Sequence, residues 1–148
     1  MTNSIAEIGE ACCIFAIGTN TTEDHPIIGV DVRMAVRNGA KLIVANPREI
    51  DLCRFATLWL RHRPGSDVAL LMGMMKVIID EGFLDTSFIE ERCENFDEFL
   101  DSTKAFDLNE VERITGIPQQ KIVEAARIFA QNSPATILYG MGITQHSH

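Results

Sequence analysis

The sequence predicts an α/β fold of three layers, in which a mainly parallel sheet has helices on both faces. Residues 13–17 form a short apolar run that ends at Gly18, and residues 42–45 form a second run of the same kind. A helical pattern lies between them, and a third β-prone run, residues 136–139, follows a mostly helical stretch. Short buried strands alternating with helices are typical of parallel sheets.

The first two strands and the helix between them form a Rossmann-like βαβ unit. Pro26 opens the helix, because proline is tolerated in a first turn, where its N–H would have no intrahelical partner. The apolar pattern continues to Asn38, and Gly39 then ends the helix. The right-handed crossover joins two parallel strands, so both end at the same edge of the sheet, at Gly18 and Ala45. Ligands of such sheets bind outside that edge.

A polar loop after the first strand leads into the helix that Pro26 opens. We expect free backbone N–H groups and the positive end of the helix dipole to converge there, as in an anion or nucleotide site. Further on, residues 57–60 fit a short strand. Ser66 is a plausible N-cap for a helix over residues 67–81, which we expect to be buried because apolar side chains cover nearly its whole circumference.

The remaining helices are predicted from capping residues and from residues that interrupt or end a helix. Residues 86–103 have an acidic helical pattern that Asn95 interrupts. A capping-box pattern at Asp107 predicts a short helix ended by Gly116, and Pro118 opens the last long helix. We also expect an exposed sheet edge or apolar patch near the end of the chain.

Composition narrows the function classes. The 148 residues have a formal charge of −8, but residues 1–65 balance seven basic with seven acidic side chains, so the excess lies in the later part. A nucleic-acid backbone needs a sustained basic face, and we therefore expect no nucleic-acid partner. No uncharged apolar stretch reaches about 18 residues, which predicts no membrane insertion. The first residues have no basic region before an apolar core, so we do not expect them to be a secretory signal.

The four cysteines are Cys12, Cys13, Cys53 and Cys93. None forms a C-x-x-C pair, so the spacings of zinc and iron–sulfur sites are absent from the sequence. We interpret the adjacent Cys12 and Cys13 as small buried hydrophobic residues. A reduced, cytoplasmic setting fits this pattern best.

Four segments in order carry a family resemblance: residues 18–26 (GTNTTEDHP), 46–48 (NPR), 64–67 (PGSD, with its apolar helix) and 139–145 (YGMGITQ). Together they resemble the large (alpha) subunit of molybdenum- or tungsten-dependent formate dehydrogenases, which are bis-molybdopterin guanine dinucleotide oxidoreductases. The resemblance covers essentially all of the chain. The last eight residues look especially like the cytoplasmic, NAD-linked members.

The resemblance implies that residues 1–139 are one α/β molybdopterin-dinucleotide-binding domain of a much longer subunit, and that residues 140–148 begin a following segment. The cofactor would be molybdopterin guanine dinucleotide with Mo or W, shared with domains outside this chain. The partners would be those domains and electron-transfer subunits. The residues implied to line the cofactor are Gly18, Thr19, Asn20, Thr21, Thr22, Glu23, His25, Asn46, Pro47, Arg48, Gly65, Ser66, Asp67, Met141, Thr144 and Gln145.

Five of these candidates also have an interpretation that requires no ligand. The Asp67 carboxylate can accept from the N–H groups of guanine, or it can simply be a first-turn helix residue. Arg48 can bind a phosphate with two N–H groups, or it can be an ordinary surface arginine. Asn20 can be a turn residue that bonds its own backbone, and His25 a helix-entry residue. Met141 can be a core residue.

The metal ligand of the resembled family has no match here. In that family a Cys or selenocysteine precedes a catalytic His-Gly, and a 4Fe-4S cluster lies nearer the N-terminus. Neither Cys53 nor Cys93 is followed by His-Gly, and we interpret His146 and His148 as solvated histidines. The sequence therefore predicts no catalytic residue and no metal ligand, and we expect the isolated chain to be inactive.

The leading hypothesis is a piece of a formate dehydrogenase large subunit that binds the pterin dinucleotide, while the whole subunit converts formate to CO2 and passes electrons on. Two alternatives stay open. One is another molybdopterin oxidoreductase, related to nitrate reductase or to a complex I subunit. The other is a freestanding nucleotide-binding module without catalysis.

Overall fold

A computed structural model describes residues 4–146, and a four-stranded parallel sheet lies at its centre. The strands are β1 (Cys13–Ile17), β2 (Lys41–Ala45), β3 (Leu58–Leu60) and β4 (Ala135–Tyr139). They lie in the order β3-β2-β1-β4, and every neighbouring pair is parallel. Ile17 lies beside Ala45 and Tyr139, and Ala45 lies beside Leu60, so all four strands end at one edge. The α/β prediction is confirmed.

Within residues 4–146, eight α-helices and two short 3-10 helices surround the sheet. The α-helices are α1 (Thr21–Asp24), α2 (Pro26–Arg37), α3 (Asp67–Asp80), α4 (Thr86–Arg92), α5 (Phe96–Thr103), α6 (Leu108–Thr115), α7 (Gln119–Gln131) and α8 (Met141–Thr144). The 3-10 helices are Ile5–Glu10 and Asp51–Phe55. No helix among these residues is long and apolar enough to cross a membrane.

Side chains of the strands alternate between two cores, because successive residues of a strand point to opposite faces. On one face, Phe15 and Ile17 pack in a core with α3, α6 and α7. On the other face, Ile14 and Ala16 pack in a core with α2 and both 3-10 helices. Helices therefore cover both faces, as the three-layer prediction requires.

Several local predictions are confirmed. Asn95 separates α4 from α5 in the left-handed conformation, with φ of 57°. Gly116 ends α6, also left-handed, with φ of 74°. β4 is an edge strand, with Ile137 49% and Tyr139 63% exposed, so the expected open edge lies near the end of the chain.

Two predictions about burial are wrong in part. Helix α3 is not buried all round: Leu70 and Met74 enter the core with α6 and α7, Leu71 is half-buried, and Val68 is exposed. Cys13 is buried but Cys12 is exposed, because Cys12 precedes the strand proper. Burial, reinforced by the neighbouring Cys12, raises the pKa of the Cys13 thiol to about 11.

Two predicted caps also differ in detail. The hydroxyl of Ser66 donates to the carbonyl oxygen of Arg63 at 2.6 Å instead of capping α3, because the turn brings that carbonyl within reach. Asp107 does cap α6, by accepting from the N–H of Asn109 at 2.7 Å. Glu110 pairs with Arg113 instead of completing a capping box.

Candidate cofactor-binding cleft

A cleft of about 720 Å³ lies at the carboxyl edge of the sheet, and we call it the edge cleft. The loops after β1, β2 and β3 and the segment after β4 surround it. Ten of the sixteen residues predicted to bind a cofactor line it: Gly18, Thr19, Asn20, His25, Asn46, Pro47, Arg48, Gly65, Asp67 and Met141. Segments more than a hundred residues apart in sequence thus meet at one place, as the parallel topology requires.

Six predicted residues do not line the edge cleft: Thr21, Thr22, Glu23, Ser66, Thr144 and Gln145. Thr21 lines a separate cavity of about 400 Å³ beside β4 instead. Glu23 is exposed and lies 3.8 Å from the guanidinium of Arg48. Gln145 donates to the sulfur of Met141 at 3.5 Å. Their role toward a cofactor stays a prediction.

The loop after β1 is more ordered than its polar sequence indicates, because residues Thr21–Asp24 form a helical turn immediately before α2. The N–H groups of Glu23 and Asp24 both donate to the carbonyl oxygen of Asn20, at 3.1 and 2.9 Å. The N–H of His25 donates to Thr21 at 3.1 Å. The expectation that this loop offers free N–H groups and the helix terminus to a ligand is therefore wrong for these three groups.

The backbone carbonyl of Asn20 is hydrogen-bonded, but among the described residues its side-chain amide is not. The residue is 8% exposed, and within residues 4–146 neither its amide nitrogen nor its amide oxygen has a hydrogen-bond partner. Buried polar side chains are nearly always paired, since an unpaired one costs about 1–3 kcal/mol. An unpaired buried amide beside a cleft is therefore a candidate ligand contact.

The loop after β2 is fastened through Asn46. Its amide nitrogen donates to the carbonyl oxygen of Thr19 at 3.4 Å, and its amide oxygen accepts from the N–H of Arg48 at 3.0 Å. The indole N–H of Trp59 donates to the backbone carbonyl of Asn46 at 3.0 Å. Arg48 itself is mostly exposed, and its ion pair with Glu23 is long and solvent-screened, so its guanidinium is available to an anion.

The loop after β3 presents a buried carboxylate. Asp67 begins α3, its side chain is 9% exposed, and its Oδ1 lies 2.8 Å from Nε2 of His62. Its Oδ2 lies 3.8 Å from Nε2 of His146, which is beyond hydrogen-bond distance. Gly65, two residues before Asp67, has φ of 80°, and a Cβ atom added to it would meet no other atom within 4 Å.

Sequence reasoning did not assign a role to His62 or His146. His62 directly follows the residue after β3, and a histidine at the carboxyl end of a parallel strand is a usable signal. His146, interpreted as solvated, lines the edge cleft. His148 lies outside the described residues. No group of three or more His, Cys, Asp or Glu side chains among residues 4–146 could hold a metal ion.

The segment after β4 closes the edge cleft through a contact between two glycines. The N–H of Gly142 donates to the carbonyl oxygen of Gly18 at 3.0 Å. A Cβ atom on Gly142 would lie 2.5 Å from that oxygen, so only glycine allows this approach. The contact places Met141 and His146 at the cleft.

Comparison with known proteins agrees with this architecture. The sequence profile of the family "Molybdopterin oxidoreductase" matches residues 1–148. The chain belongs to the molybdopterin oxidoreductase family.

Relatives in this family include formate dehydrogenases. Formate dehydrogenase H of Escherichia coli (strain K12) is 41% identical over 145 residues, which are 98% of this chain and 20% of that protein. The F420-dependent formate dehydrogenase subunit alpha of Methanocaldococcus jannaschii is 38% identical over 148 residues, which are 100% of this chain and 22% of that protein. The resemblance to formate dehydrogenase large subunits is thus confirmed, and the chain spans about a fifth of the length of these relatives.

A solved structure of a molybdopterin oxidoreductase fold supports the architecture independently. Acetylene hydratase from Pelobacter acetylenicus superposes with a TM-score of 0.84 at 35% sequence identity. The match covers 89% of this chain and 18% of that protein.

Proposed function

We propose that this chain binds the guanosine and phosphate part of a molybdopterin guanine dinucleotide, as one portion of a formate dehydrogenase large subunit. The unpaired amide of Asn20 is the observation that carries this proposal. Asn20 lines the edge cleft, and a ligand whose hydrogen-bond donors and acceptors reach this amide would satisfy it. The cost of leaving this amide unpaired is then offset when the cofactor binds.

The residues of the edge cleft fit such a group. Its volume of about 720 Å³ lies within the roughly 300–1,000 Å³ usual for ligand sites. The Asp67 carboxylate can accept from the N1–H and the 2-amino group of guanine. Arg48 can bind a phosphate with two parallel N–H groups, and His25 lies on the same cleft.

The cofactor, with its Mo or W, supplies the redox chemistry by which formate (HCOO⁻) becomes CO2, a proton and two electrons. The residues of this chain bind and orient the dinucleotide end. The catalytic Cys or selenocysteine and the 4Fe-4S cluster are expected in other parts of a subunit as long as the relatives. The partners are then the remaining domains of the subunit and electron-transfer subunits in the cytoplasm, and the chain alone does not oxidise formate.

Titration calorimetry with guanosine monophosphate (GMP) tests the binding part of this proposal. We expect the chain to bind GMP and Asp67→Asn to bind it about 10- to 100-fold more weakly, because a charged acceptor contributes about 1.5–3 kcal/mol. Asp80→Asn, at the far end of the same helix, should bind GMP as the unsubstituted chain does. Absence of GMP binding, or equal binding by Asp67→Asn, would refute the assignment while leaving family membership intact.

The DNA sequence upstream and downstream of this coding region tests the assignment to a formate dehydrogenase subunit. A Cys or selenocysteine codon before His-Gly upstream supports the formate dehydrogenase subunit. Stop codons flanking the coding region at both ends would instead support a freestanding nucleotide-binding module.

A further inference from the structure

His62 is a buried titratable residue at the edge cleft to which the proposed function assigns no role. It lies two residues after β3, and its side chain is only 1% exposed. Both ring nitrogens face oxygen atoms: Nε2 lies 2.8 Å from Oδ1 of Asp67, and Nδ1 lies 3.5 Å from the carbonyl oxygen of Leu60. The closer contact fixes the ring against the carboxylate, with Nε2 as the donor.

The contact with His62 restricts the rotation of the Asp67 carboxylate. The backbone of Asp67 is fixed as the first residue of α3, so the remaining freedom of its carboxylate is rotation about the side-chain bonds. The bond from His62 to Oδ1 removes that rotation. Oδ2 is then held in one orientation, with Nε2 of His146 3.8 Å away.

We propose that His62 is a positioning residue that gives the edge cleft its selectivity for guanine, by holding the Asp67 carboxylate at the angle that the 2-amino group of the base requires. This inference rests on the proposed function. A carboxylate free to rotate would still attract any N–H donor, but it would lose the directional bond that separates guanine from a base without the amino group. Buried polar groups discriminate strongly only when their geometry is fixed.

Hypoxanthine is guanine without the 2-amino group, so the ratio of the affinities for GMP and inosine monophosphate (IMP) measures this contact directly. The unsubstituted chain should prefer GMP by about tenfold or more. In His62→Leu, which lacks the donor, the ratio should fall to about threefold or less. The loss should come from weaker GMP binding and leave IMP binding nearly unchanged.

Two amide side chains that differ in length by one CH2 group separate positioning from a merely structural role. In His62→Gln the amide N–H can occupy nearly the place of Nε2, so the GMP-to-IMP ratio should be retained. In His62→Asn the shorter amide does not reach Oδ1, so the ratio should fall as in His62→Leu. Both variants keep a polar group at the buried site, which provides the comparison even if the leucine variant does not fold.

The readouts are calorimetric titrations with GMP and with IMP, accompanied by thermal melts. A structural role alone would lower the melting temperature without changing the affinity ratio. If His62→Asn and His62→Gln keep the same ratio as the unsubstituted chain, this inference is overturned and the proposed function stands. If the unsubstituted chain binds neither nucleotide, the proposed function fails and this inference fails with it.

Discussion

The N–H of Gly142 and the carbonyl oxygen of Gly18 are 3.0 Å apart, which joins the segment after β4 to the loop after β1. Gly18 has φ of 57°, a conformation that glycine adopts without strain. A Cβ on Gly18 would lie 2.9 Å from the backbone carbon of Gly142, so the approach excludes a side chain from both partners. The position of α8 at the edge cleft thus depends on two glycines that are far apart in the sequence.

Replacing Gly142 by alanine should detach α8 from the loop after β1. The new Cβ would lie 2.5 Å from the carbonyl oxygen of Gly18 and 2.8 Å from the Cα of Gly18. Both are backbone atoms, which cannot move away by a change of rotamer. We expect the amide of residue 142 to lose its protection from hydrogen exchange, measured by NMR, because its bond to Gly18 is broken.

The matched control is Gly9→Ala, in an exposed 3-10 helix where a Cβ would meet nothing within 4 Å. It should leave the amide of residue 142 protected as before. Retained protection in Gly142→Ala would show that the two segments can separate slightly without losing their bond.

Replacing Asn20 by leucine should stabilise the unliganded chain while weakening GMP binding. The two side chains have similar size, and leucine removes a buried amide that has no partner within residues 4–146. Removing an unpaired buried polar group is worth about 1–3 kcal/mol, and we expect a gain in that range in the free energy of unfolding. Urea denaturation measures it, and calorimetry with GMP measures the cost to binding.

Asn46 is the matched comparison for Asn20, because its side-chain amide is hydrogen-bonded. Its amide bonds both Thr19 and Arg48, so Asn46→Leu should lower the free energy of unfolding instead of raising it. Equal destabilisation by both leucine substitutions would indicate that the Asn20 amide is paired in solution, for example by water.

Much of the edge cleft could be predicted because two sequence signals are strong. The apolar runs of β1, β2 and β4 have the length and composition of buried parallel strands, and parallel topology then brings the loops after them to one edge. That reasoning placed Asn20 and Asn46 at one edge without any knowledge of side-chain positions, whereas the family resemblance added Asp67, which follows β3.

The contacts that the sequence did not predict depend on local geometry, which leaves no periodic pattern in the sequence. Residues Thr21–Asp24 make a single helical turn, too short for a periodic signal, and its bonds to the Asn20 carbonyl appear only in three dimensions. The pairing of His62 with Asp67 depends on the direction of one imidazole ring across a turn. Thr144 and Gln145 do not line the edge cleft, and a helix of four residues is too short for a sequence period to predict the orientation of its side chains.

Replacing Gly73 by alanine should destabilise the chain although alanine favours helices. Gly73 lies within α3, where a Cβ would come 2.8 Å from Cγ1 of the fully buried Val111 of α6. The gain in helix propensity of about 1 kcal/mol is outweighed by overpacking, which costs about 1–3 kcal/mol. We expect a net loss in the free energy of unfolding of up to about 2 kcal/mol in urea denaturation.

Val111→Ala tests the cause of this loss, because it removes the methyl groups that the new Cβ would meet. Gly73→Ala should be neutral or stabilising in the Val111→Ala background, and the two substitutions should therefore be non-additive. Additive effects would show that the glycine is needed for a reason other than its contact with α6.

Replacing Glu81 by glutamine should change how stability depends on pH in the acid range. Glu81, at the end of α3, bonds Arg127 of α7 through two N–H groups, Nε to Oε2 and Nη2 to Oε1, each at 2.8 Å. The hydrogen bond from Arg127 is the largest cause that lowers the pKa of the Glu81 carboxyl below its usual 4.5. The ionised form is therefore favoured in the folded chain.

A lowered folded-state pKa adds stability that is fully present above the unfolded-state pKa and is lost as pH falls through the folded-state pKa. The difference in free energy of unfolding between the unsubstituted chain and Glu81→Gln should thus be constant near neutral pH and shrink below about pH 4.5. Urea denaturation across this range measures it. Glu124→Gln, on α7 but without an ion pair among residues 4–146, should show no such change, whereas a difference that grows toward acid pH would contradict the assigned pairing.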